Sequence, residues 1–251
     1  MSANTLRAGF RAALVSVLLL AATGAGAQGA RELVEQSIRR HAPPPHVYQE
    51  QTLILSDPLG KHTVRTLRYY ARHEAAGARR LAVIQTPEDL RGMFVLVARD
   101  AKGERRGPEA ASPFFGSNFT VADFEGEQPE KFTYELEDGQ DLDRISHHVI
   151  RAIPKDAEVA RETGYGTRRL YLRKDNLFLS RVDSIDRQGR LIRRQTFRDP
   201  HPDDTGAWHA GMILTEDLGE ERRTLIKVDR RVHSADYVPD QVFDRQRVGL
   251  R

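Results

Sequence analysis

The chain has 251 residues, with 39 lysines and arginines against 36 aspartates and glutamates, and it has no cysteine. Without cysteine it cannot be a disulfide-stapled scaffold, so a hydrophobic core has to hold the fold. The net charge of +3 is spread over interleaved basic and acidic residues, which excludes a dedicated nucleic-acid binder with a basic stripe.

The first 27 residues have the pattern of a cleavable export signal. Arg7 and Arg11 precede an apolar run over residues 12–22, and Ala25-Gly26-Ala27 supplies the small residues that a signal peptidase cuts, before Gln28. The apolar run is shorter than the ~20 residues of a membrane-crossing helix; a retained membrane anchor is the alternative. We therefore predict an exported protein, cleaved after Ala27. Because the signal peptide contains two arginines and no acidic residue, cleavage lowers the net charge from +3 to about +1.

The mature part is predicted to begin with an amphipathic helix over residues 28–41. Leu33, Val34, Ser37 and Ile38 share one face of that helix, and the prolines at 43–45 end it. The remainder has the composition of strands. They are expected over residues 47–55, 63–71, 80–85, 93–98, 133–137, 144–153, 168–173, 177–183, 190–198, 212–217 and 223–232. About ten short strands with one early helix predict a mainly β (α+β) fold, in which a single domain over residues 28–251 forms an antiparallel sheet that curls on itself.

Tight turns are predicted between these strands at residues 57–60, Asp138-Gly139, 174–176 and 186–189. Residues 199–204 contain two prolines and are predicted to form a rigid acidic loop. With His209 this loop could collect a divalent cation, but the sequence lacks a His-Glu-x-x-His motif and cysteine ligands. The adjacent pair His147-His148 points to opposite faces of a strand. We therefore predict no metal.

The segment from Ser112 to Phe124 is rich in aromatic residues and holds four of the ten phenylalanines. Its composition permits two interpretations. The rings could fill the core beneath a long loop, where each contributes up to about 3 kcal/mol, or they could form a flap at the mouth of a cavity. Ser117 follows Gly116, but no Gly-x-Ser-x-Gly elbow surrounds it, so we interpret it as a turn serine.

No other pattern in the chain is typical of catalysis. The sequence has no phosphate-binding loop and no dinucleotide fingerprint. No carboxylate pair has a context that separates a protonated acid from an ionised partner. We therefore predict that the protein is not an enzyme and uses no cofactor.

The aromatic segment resembles the "F-x-G-S-D/N-F-(S/T)-x-x-D" segment of the outer-membrane lipoprotein-sorting protein family, the LolA/LolB-like periplasmic carriers. Four further stretches resemble family segments in the same order: the strand and "x-P-x-D-x-(R/K)-G" turn over 80–92, the hairpin over 170–182, the "D-x-x-G-x-L" turn over 186–191, and the closing "P-D-x-x-F" run over 239–243. The chain departs from the family pattern over residues 99–106, which are short and charged where relatives often have a hairpin. A trimmed hairpin would widen or expose one edge of the sheet.

The resemblance implies an incomplete antiparallel barrel wrapped around a helix or loop lid, with an apolar interior. It also implies a periplasmic, non-catalytic carrier or chaperone that binds a lipid or the acyl chains of a lipoprotein, working with an inner-membrane exporter or an outer-membrane acceptor and not with nucleic acid. The alternatives are an envelope interaction module that docks a transporter or an outer-membrane assembly without binding lipid, and an envelope hydrolase. For the carrier we predict that the ligand contacts at the lid or cavity mouth are Phe114, Phe115, Phe119 and Phe124, with Leu33 and Ile38 of the early helix closing over them.

Overall fold

The computed structural model describes residues 29–244. The predicted signal peptide and its cleavage point lie outside these residues. Three α-helices occur among the described residues: α1 over residues 29–40, α2 over Val121–Glu125 and α3 over Ala157–Thr163. The strands are β1 (His46–Ser56), β2 (His62–Glu74), β3 (Gly77–Thr86), β4 (Phe94–Asp100), β5 (Arg105–Arg106), β6 (Phe132–Leu142), β7 (Ile145–Pro154), β8 (Thr167–Arg173), β9 (Leu179–Ile185), β10 (Leu191–Pro202), β11 (Trp208–Asp217) and β12 (Arg222–Val232).

All twelve strands form one sheet, in the order β5-β4-β3-β2-β1-β12-β11-β10-β9-β8-β7-β6. Each pair of neighbours is antiparallel, and the first and last strands pair in the middle of the sheet. The two edge strands, β5 and β6, are consecutive along the chain, so residues 107–131 connect one open edge to the other. The predicted incomplete barrel is confirmed, with twelve strands where the sequence suggested about ten. At one edge β5 is only two residues long, in the place where the sequence lacks the family's hairpin.

One predicted turn is wrong. Asp138-Gly139 lies inside β6, where these two residues oppose a single residue of β7 and so form a bulge. Gly139 fits because an added Cβ would lie 3.0 Å from the carbonyl oxygen of His147. The chain reverses instead at Asp143-Arg144, whose φ angles of 52° and 66° are those of the type I′ hairpin turn.

The predicted acidic loop over residues 199–204 is also wrong in part, because β10 continues to Pro202. Pro200 and Pro202 pair with β11 on one side, whereas the pairing with β9 stops at Thr196. Since a proline has no N–H to donate, it is tolerated where one side of the strand is open. The turn itself begins at Asp203, which accepts a hydrogen bond from the backbone N–H of Thr205 at 2.8 Å.

Helix α1 confirms the helix predicted near the start of the mature chain. Ala30, Val34 and Ser37 are buried at the i, i+4, i+7 spacing of one helical face. Helix α3 was not predicted. It has a clear start at Asp156, whose carboxylate accepts hydrogen bonds from the N–H groups of Glu158 and Val159, and its C-cap is Gly164 in the left-handed region.

Strand pairing shows which side chains share a face, because directly paired residues project on the same side of a sheet. Leu53 pairs with Ile226, Ile226 with Ile213, and Ile213 with Phe197. This apolar row crosses the centre of the sheet, and we call the side on which it lies the inner face.

Two hydrophobic clusters lie on the inner face. One includes Leu53, Leu67, Ile84, Val97 and Ile226 together with the phenylalanines of the aromatic segment. The other joins α1 and α3 to β6–β10 and includes Ala30, Val34, Phe132, Ile150, Val159, Leu170 and Leu172. A third cluster lies on the opposite face, where the final turns cover β1–β4 through Tyr48, Leu81, Val83, Leu96, Val238 and Phe243.

Candidate ligand-binding site

The aromatic segment folds into a compact element on the inner face, and we call residues 112–125 the aromatic plug. Its first part closes on itself in an isolated bridge between Pro113 and Thr120, and the Phe114 N–H donates to the Phe119 carbonyl at 2.8 Å. The hydroxyl of Ser117 donates to the Phe114 carbonyl at 2.6 Å, as expected of a turn serine. Thr120 then caps α2 in a capping box with Asp123.

The structure brings the four predicted phenylalanines together. Phe114 is 1% exposed, and its ring centroid lies 4.6 Å from Phe115, 5.6 Å from Phe119 and 5.0 Å from Phe124. Tyr69 of β2 meets Phe124 edge-on, with centroids 5.5 Å apart. The rings fill the space above β1–β4, β11 and β12, so in this conformation they are core.

Phe115 adopts a backbone conformation that is unusual for a residue with a large side chain. Its φ of 51° lies in the left-handed region, which costs a residue other than glycine of order 1–3 kcal/mol. The Arg65 guanidinium of β2 donates to the Phe115 carbonyl, and the Arg222 guanidinium of β12 donates to the carbonyl of the next residue, Gly116, at 3.2 Å. Two arginines from the sheet therefore hold the strained turn.

Further polar contacts fasten the plug at its margins. The Asp123 carboxylate pairs with the Arg193 guanidinium of β10, and their side chains are only 9% and 10% exposed. Burial lowers the pKa of Arg193, but the neighbouring Asp123 outweighs burial and the net pKa shift is upward. The Glu125 carboxylate, 2% exposed, accepts from Arg99 at 2.9 Å and from Arg105 at 2.5 Å.

Asn118 also holds the plug, through hydrogen bonds between uncharged groups. Its side-chain amide donates to the carbonyls of Thr215 at 3.2 Å and Arg222 at 3.0 Å. Its backbone N–H donates to the Thr224 hydroxyl at 3.3 Å. Side-chain contacts thus tie the plug to β2, β4, β5, β10, β11 and β12, although the plug itself is not a strand of the sheet.

The two helix residues predicted to close over the phenylalanines belong elsewhere. Leu33 packs against the cluster that contains Val34, Phe132 and Leu170, and Ile38 is 38% exposed. Helix α1 and the aromatic plug therefore cover adjoining parts of the inner face, and each packs in its own cluster.

A cavity of about 190 Å³ lies between α2 of the aromatic plug, α3 and strands β8–β10. Phe132, Leu179, Val182 and Phe197 contribute its apolar wall. Its charged lining residues are Asp123, Glu127, Lys131, Glu162 and Arg168. Ligand pockets usually measure about 300–1,000 Å³, so this cavity is too small for an acyl chain unless a cover moves.

Arg168 was not singled out from the sequence, where it is one of two adjacent arginines. Its guanidinium stacks over the Phe132 ring at 4.1 Å and pairs with Glu127 at 2.9 Å. Burial lowers the pKa of Arg168, but Glu127 reverses this and the net pKa shift is upward. The buried Nε of Arg168 has no hydrogen-bond partner. Only the packing of strands distant in sequence reveals that this arginine faces the cavity.

A protein-family model described as "Uncharacterized protein" matches residues 77–248 of the chain. Among curated proteins, none matches the sequence. Among the residues that the structure describes, no helix is long and apolar enough to cross a membrane.

Several solved structures are similar. A candidate outer membrane lipoprotein-sorting protein domain from Vibrio parahaemolyticus has a TM-score of 0.78 at 17% identity, covering 89% of this chain and 99% of that one. A DUF1329 family protein from Desulfovibrio piger has a TM-score of 0.77 at 20% identity, with 89% and 99% covered. A LolA superfamily protein from Nitrosomonas europaea has a TM-score of 0.63 at 15% identity, with 86% and 98% covered. The likeness establishes the fold, and the predicted resemblance to the lipoprotein-sorting family is confirmed.

Proposed function

We propose that this chain, which belongs to the family whose model matches residues 77–248, is a periplasmic, non-catalytic carrier or chaperone that binds a lipid or the acyl chains of a lipoprotein. The observation that carries the proposal is the continuous apolar row from Leu53 to Phe197, which runs beneath both covers of the inner face. An acyl chain laid along that row would gain about 0.8 kcal/mol for each buried CH₂.

Binding of this kind requires the aromatic plug to move. The cavity of about 190 Å³ lies below the range of ordinary ligand pockets, and the phenylalanines occupy the adjoining part of the inner face. Because side-chain contacts fasten the plug, it can leave without breaking the hydrogen bonds between neighbouring strands. The predicted site residues Phe114, Phe115, Phe119 and Phe124 would then pass from core to lid, and their rings would contact the bound chain.

A tethered plug tests the proposal. The contact between the Asn118 N–H and the Thr224 hydroxyl brings these residues close enough for a cysteine pair, Asn118→Cys with Thr224→Cys, to be tried as a disulfide. The native chain has no cysteine, so only the introduced pair responds to oxidant. Substitution of a ring, such as Phe115→Asp, would instead place a charge in a buried position and confound binding with folding.

Residues 28–251 would be purified from periplasm without detergent and examined by native mass spectrometry, followed by solvent extraction and a test with added phospholipid. We expect the wild-type chain and the reduced cysteine pair to hold lipid and the oxidised pair to refuse it. The wild-type chain under the same oxidant is the control. If the oxidised pair, with its disulfide verified by mass, takes lipid as well as the reduced pair, the plug is not the lid.

The second candidate is an envelope interaction module that docks an inner-membrane exporter or an outer-membrane acceptor and binds no lipid. The filling of the inner face by side chains favours it. Among the strands of residues 29–244, edge strand β6 pairs only with β7, so its other side offers a template for an added strand. A wild-type chain that is free of lipid on purification and refuses added lipid would support this candidate.

A further inference from the structure

We propose that Asp203, His209 and His233 form a binding site for a divalent transition-metal ion of the zinc class. Their potential ligand atoms all lie within 4.8 Å of one another. They come from three parts of the chain: the turn after β10, the start of β11 and the residue after β12. The site is separate from the aromatic plug and does not depend on the proposed carrier function.

The distances suit a metal after small side-chain movements. The Asp203 Oδ2 lies 2.8 Å from the His209 Nε2 and 3.9 Å from the His233 Nδ1. Zinc takes nitrogen and carboxylate ligands at about 2.0–2.2 Å in a tetrahedron, which places neighbouring ligand atoms about 3.3 Å apart. The carboxylate would serve as one ligand and the two imidazoles as the others.

Asp203 is already oriented for this role. Its Oδ1 accepts from the Thr205 hydroxyl at 2.6 Å and from the Ala207 N–H at 3.2 Å. Those contacts leave Oδ2 directed at the histidines. Hydrogen bonds from outside the ligand set fix ligand geometry in the same way in known metal sites.

The ligand types select the metal. Two imidazoles with one carboxylate favour zinc, cobalt or nickel, whereas calcium and magnesium prefer oxygen ligands alone. Arg231 interacts electrostatically with Asp203 and His209, and its positive charge opposes a cation. We therefore expect weaker binding than at a structural zinc site with four protein ligands.

The sequence led us to predict no metal because it has no His-Glu-x-x-His motif and no cysteine ligand, and because it offered only residues 199–204 with His209 as a possible ligand group. His233 lies far along the chain and enters the group through the pairing of β11 with β12. A third ligand changes the chemistry, since three protein ligands suffice for a zinc site with an open position.

The test uses the whole mature chain without an affinity tag, titrated with zinc sulfate by calorimetry after treatment with a chelator. We expect one ion per chain and a rise in the melting temperature on adding zinc. His233→Ala should weaken binding at least ~10-fold and remove the rise in melting temperature. His233 has a 26% exposed side chain, so its loss should leave a folded protein, which circular dichroism would verify.

His201→Ala is the matched control. His201 is an exposed neighbour that pairs with His209 across the strands and contacts the Asp199 carbonyl at 3.0 Å. The His201→Ala variant should bind zinc like the wild type. The proposal is overturned if the wild-type chain binds no stoichiometric zinc, if His233→Ala retains wild-type affinity, or if His201→Ala loses it.

Discussion

Two elements, helix α1 and the aromatic plug, cover the inner face, and different contacts hold them there. Helix α1 lies on the β6–β10 half and presents an ordinary amphipathic stripe, Ala30, Val34 and Ser37, to the sheet. The aromatic plug lies on the other half with four rings, a strained turn at Phe115 and several ties to arginines. The helix satisfies its backbone internally, whereas the plug relies on side chains from the sheet.

The difference concerns which cover would move in the proposed carrier. The ion pairs of α1, such as Arg31–Glu35, run along the helix and are partly exposed, so they do not fasten it to the sheet. Those of the plug are buried and cross between elements. A buried pair adds little net stability compared with an apolar contact, but it fixes one arrangement. We infer that the plug has a defined closed position, held by contacts that can be broken together.

The largest expected effect comes from removing the central ring of the plug. Phe114→Ala should destabilise the protein by about 3–5 kcal/mol, because the buried ring touches three others and leaves a cavity. Val34→Ala, at an equally buried position in α1, should cost about 2 kcal/mol. Urea unfolding followed by circular dichroism measures both. A Phe114→Ala cost below that of Val34→Ala would mean that the plug is already open in solution.

The next comparison concerns the ion pairs. Asp123→Asn should destabilise by about 3 kcal/mol, since it leaves the buried Arg193 without a charged partner. Glu35→Gln in α1 should change stability by less than about 0.5 kcal/mol, because that pair is exposed and lies within one helix.

The same Asp123→Asn variant also tests whether the plug opens independently of α1. If the buried pair holds the plug closed, Asp123→Asn should show faster hydrogen exchange in residues 112–125 than in α1. Equal acceleration in both covers would argue that they open as a unit.

An effect smaller than that of Asp123→Asn is expected just after α1 and depends on pH. His41 accepts a hydrogen bond at Nδ1 from the Trp208 N–H at 3.0 Å, and its Nε2 lies 2.9 Å from the Asn176 carbonyl. The contact at Nδ1 needs the neutral ring, whereas the bond that Nε2–H donates to the Asn176 carbonyl raises the pKa. Burial, the largest cause, prevails and lowers the pKa of His41 below its ordinary value. The unfolded state, with a pKa near ~6.5, therefore binds the proton more readily. The stability that the neutral ring contributes is complete above that pH and is lost as the pH falls below it.

His41→Ala should cost about 1 kcal/mol at pH 7.5 and should lose less stability than the wild type on acidification to pH 5. Burial also lowers the pKa of His73, to about 4, so a pH dependence remains in the variant. Urea unfolding at the two pH values measures the difference. An unchanged pH dependence in the variant would show that His41 does not contribute to it.

Local patterns predicted much of the fold. The spacing of apolar residues predicted α1, and the turn at Asp57 forms as expected, with its carboxylate accepting from the N–H groups of Leu59 and Lys61. The composition of residues 112–124 permitted core filling beneath a loop as one interpretation, and the four phenylalanine rings do pack together as core in this conformation. Each of these features depends on residues that are close in sequence.

The features that sequence reasoning missed depend on distant residues. The bulge at Asp138-Gly139 has the composition of a hairpin turn, and only the register with β7 distinguishes the two. The tie between Asp123 and Arg193 spans 70 positions, and nothing near either residue marks it. Pro200 and Pro202 were placed in a loop because the open side of β10 is visible only in the assembled sheet.

The route of residues 107–131 has a consequence for the size of any guest. This single connection runs from edge strand β5 to edge strand β6. While the plug is fastened to the sheet, the short free segments on either side of it limit how far the two open edges can separate. Added residues in a surface connection cost little, since doubling a loop adds only about 0.6 kcal/mol. Insertions near residues 108–111, which are mostly exposed, should therefore widen the space between the edges while every strand pair stays intact. In such a fold the length of one connection, and not the number of strands, would determine how large a molecule the protein can enclose.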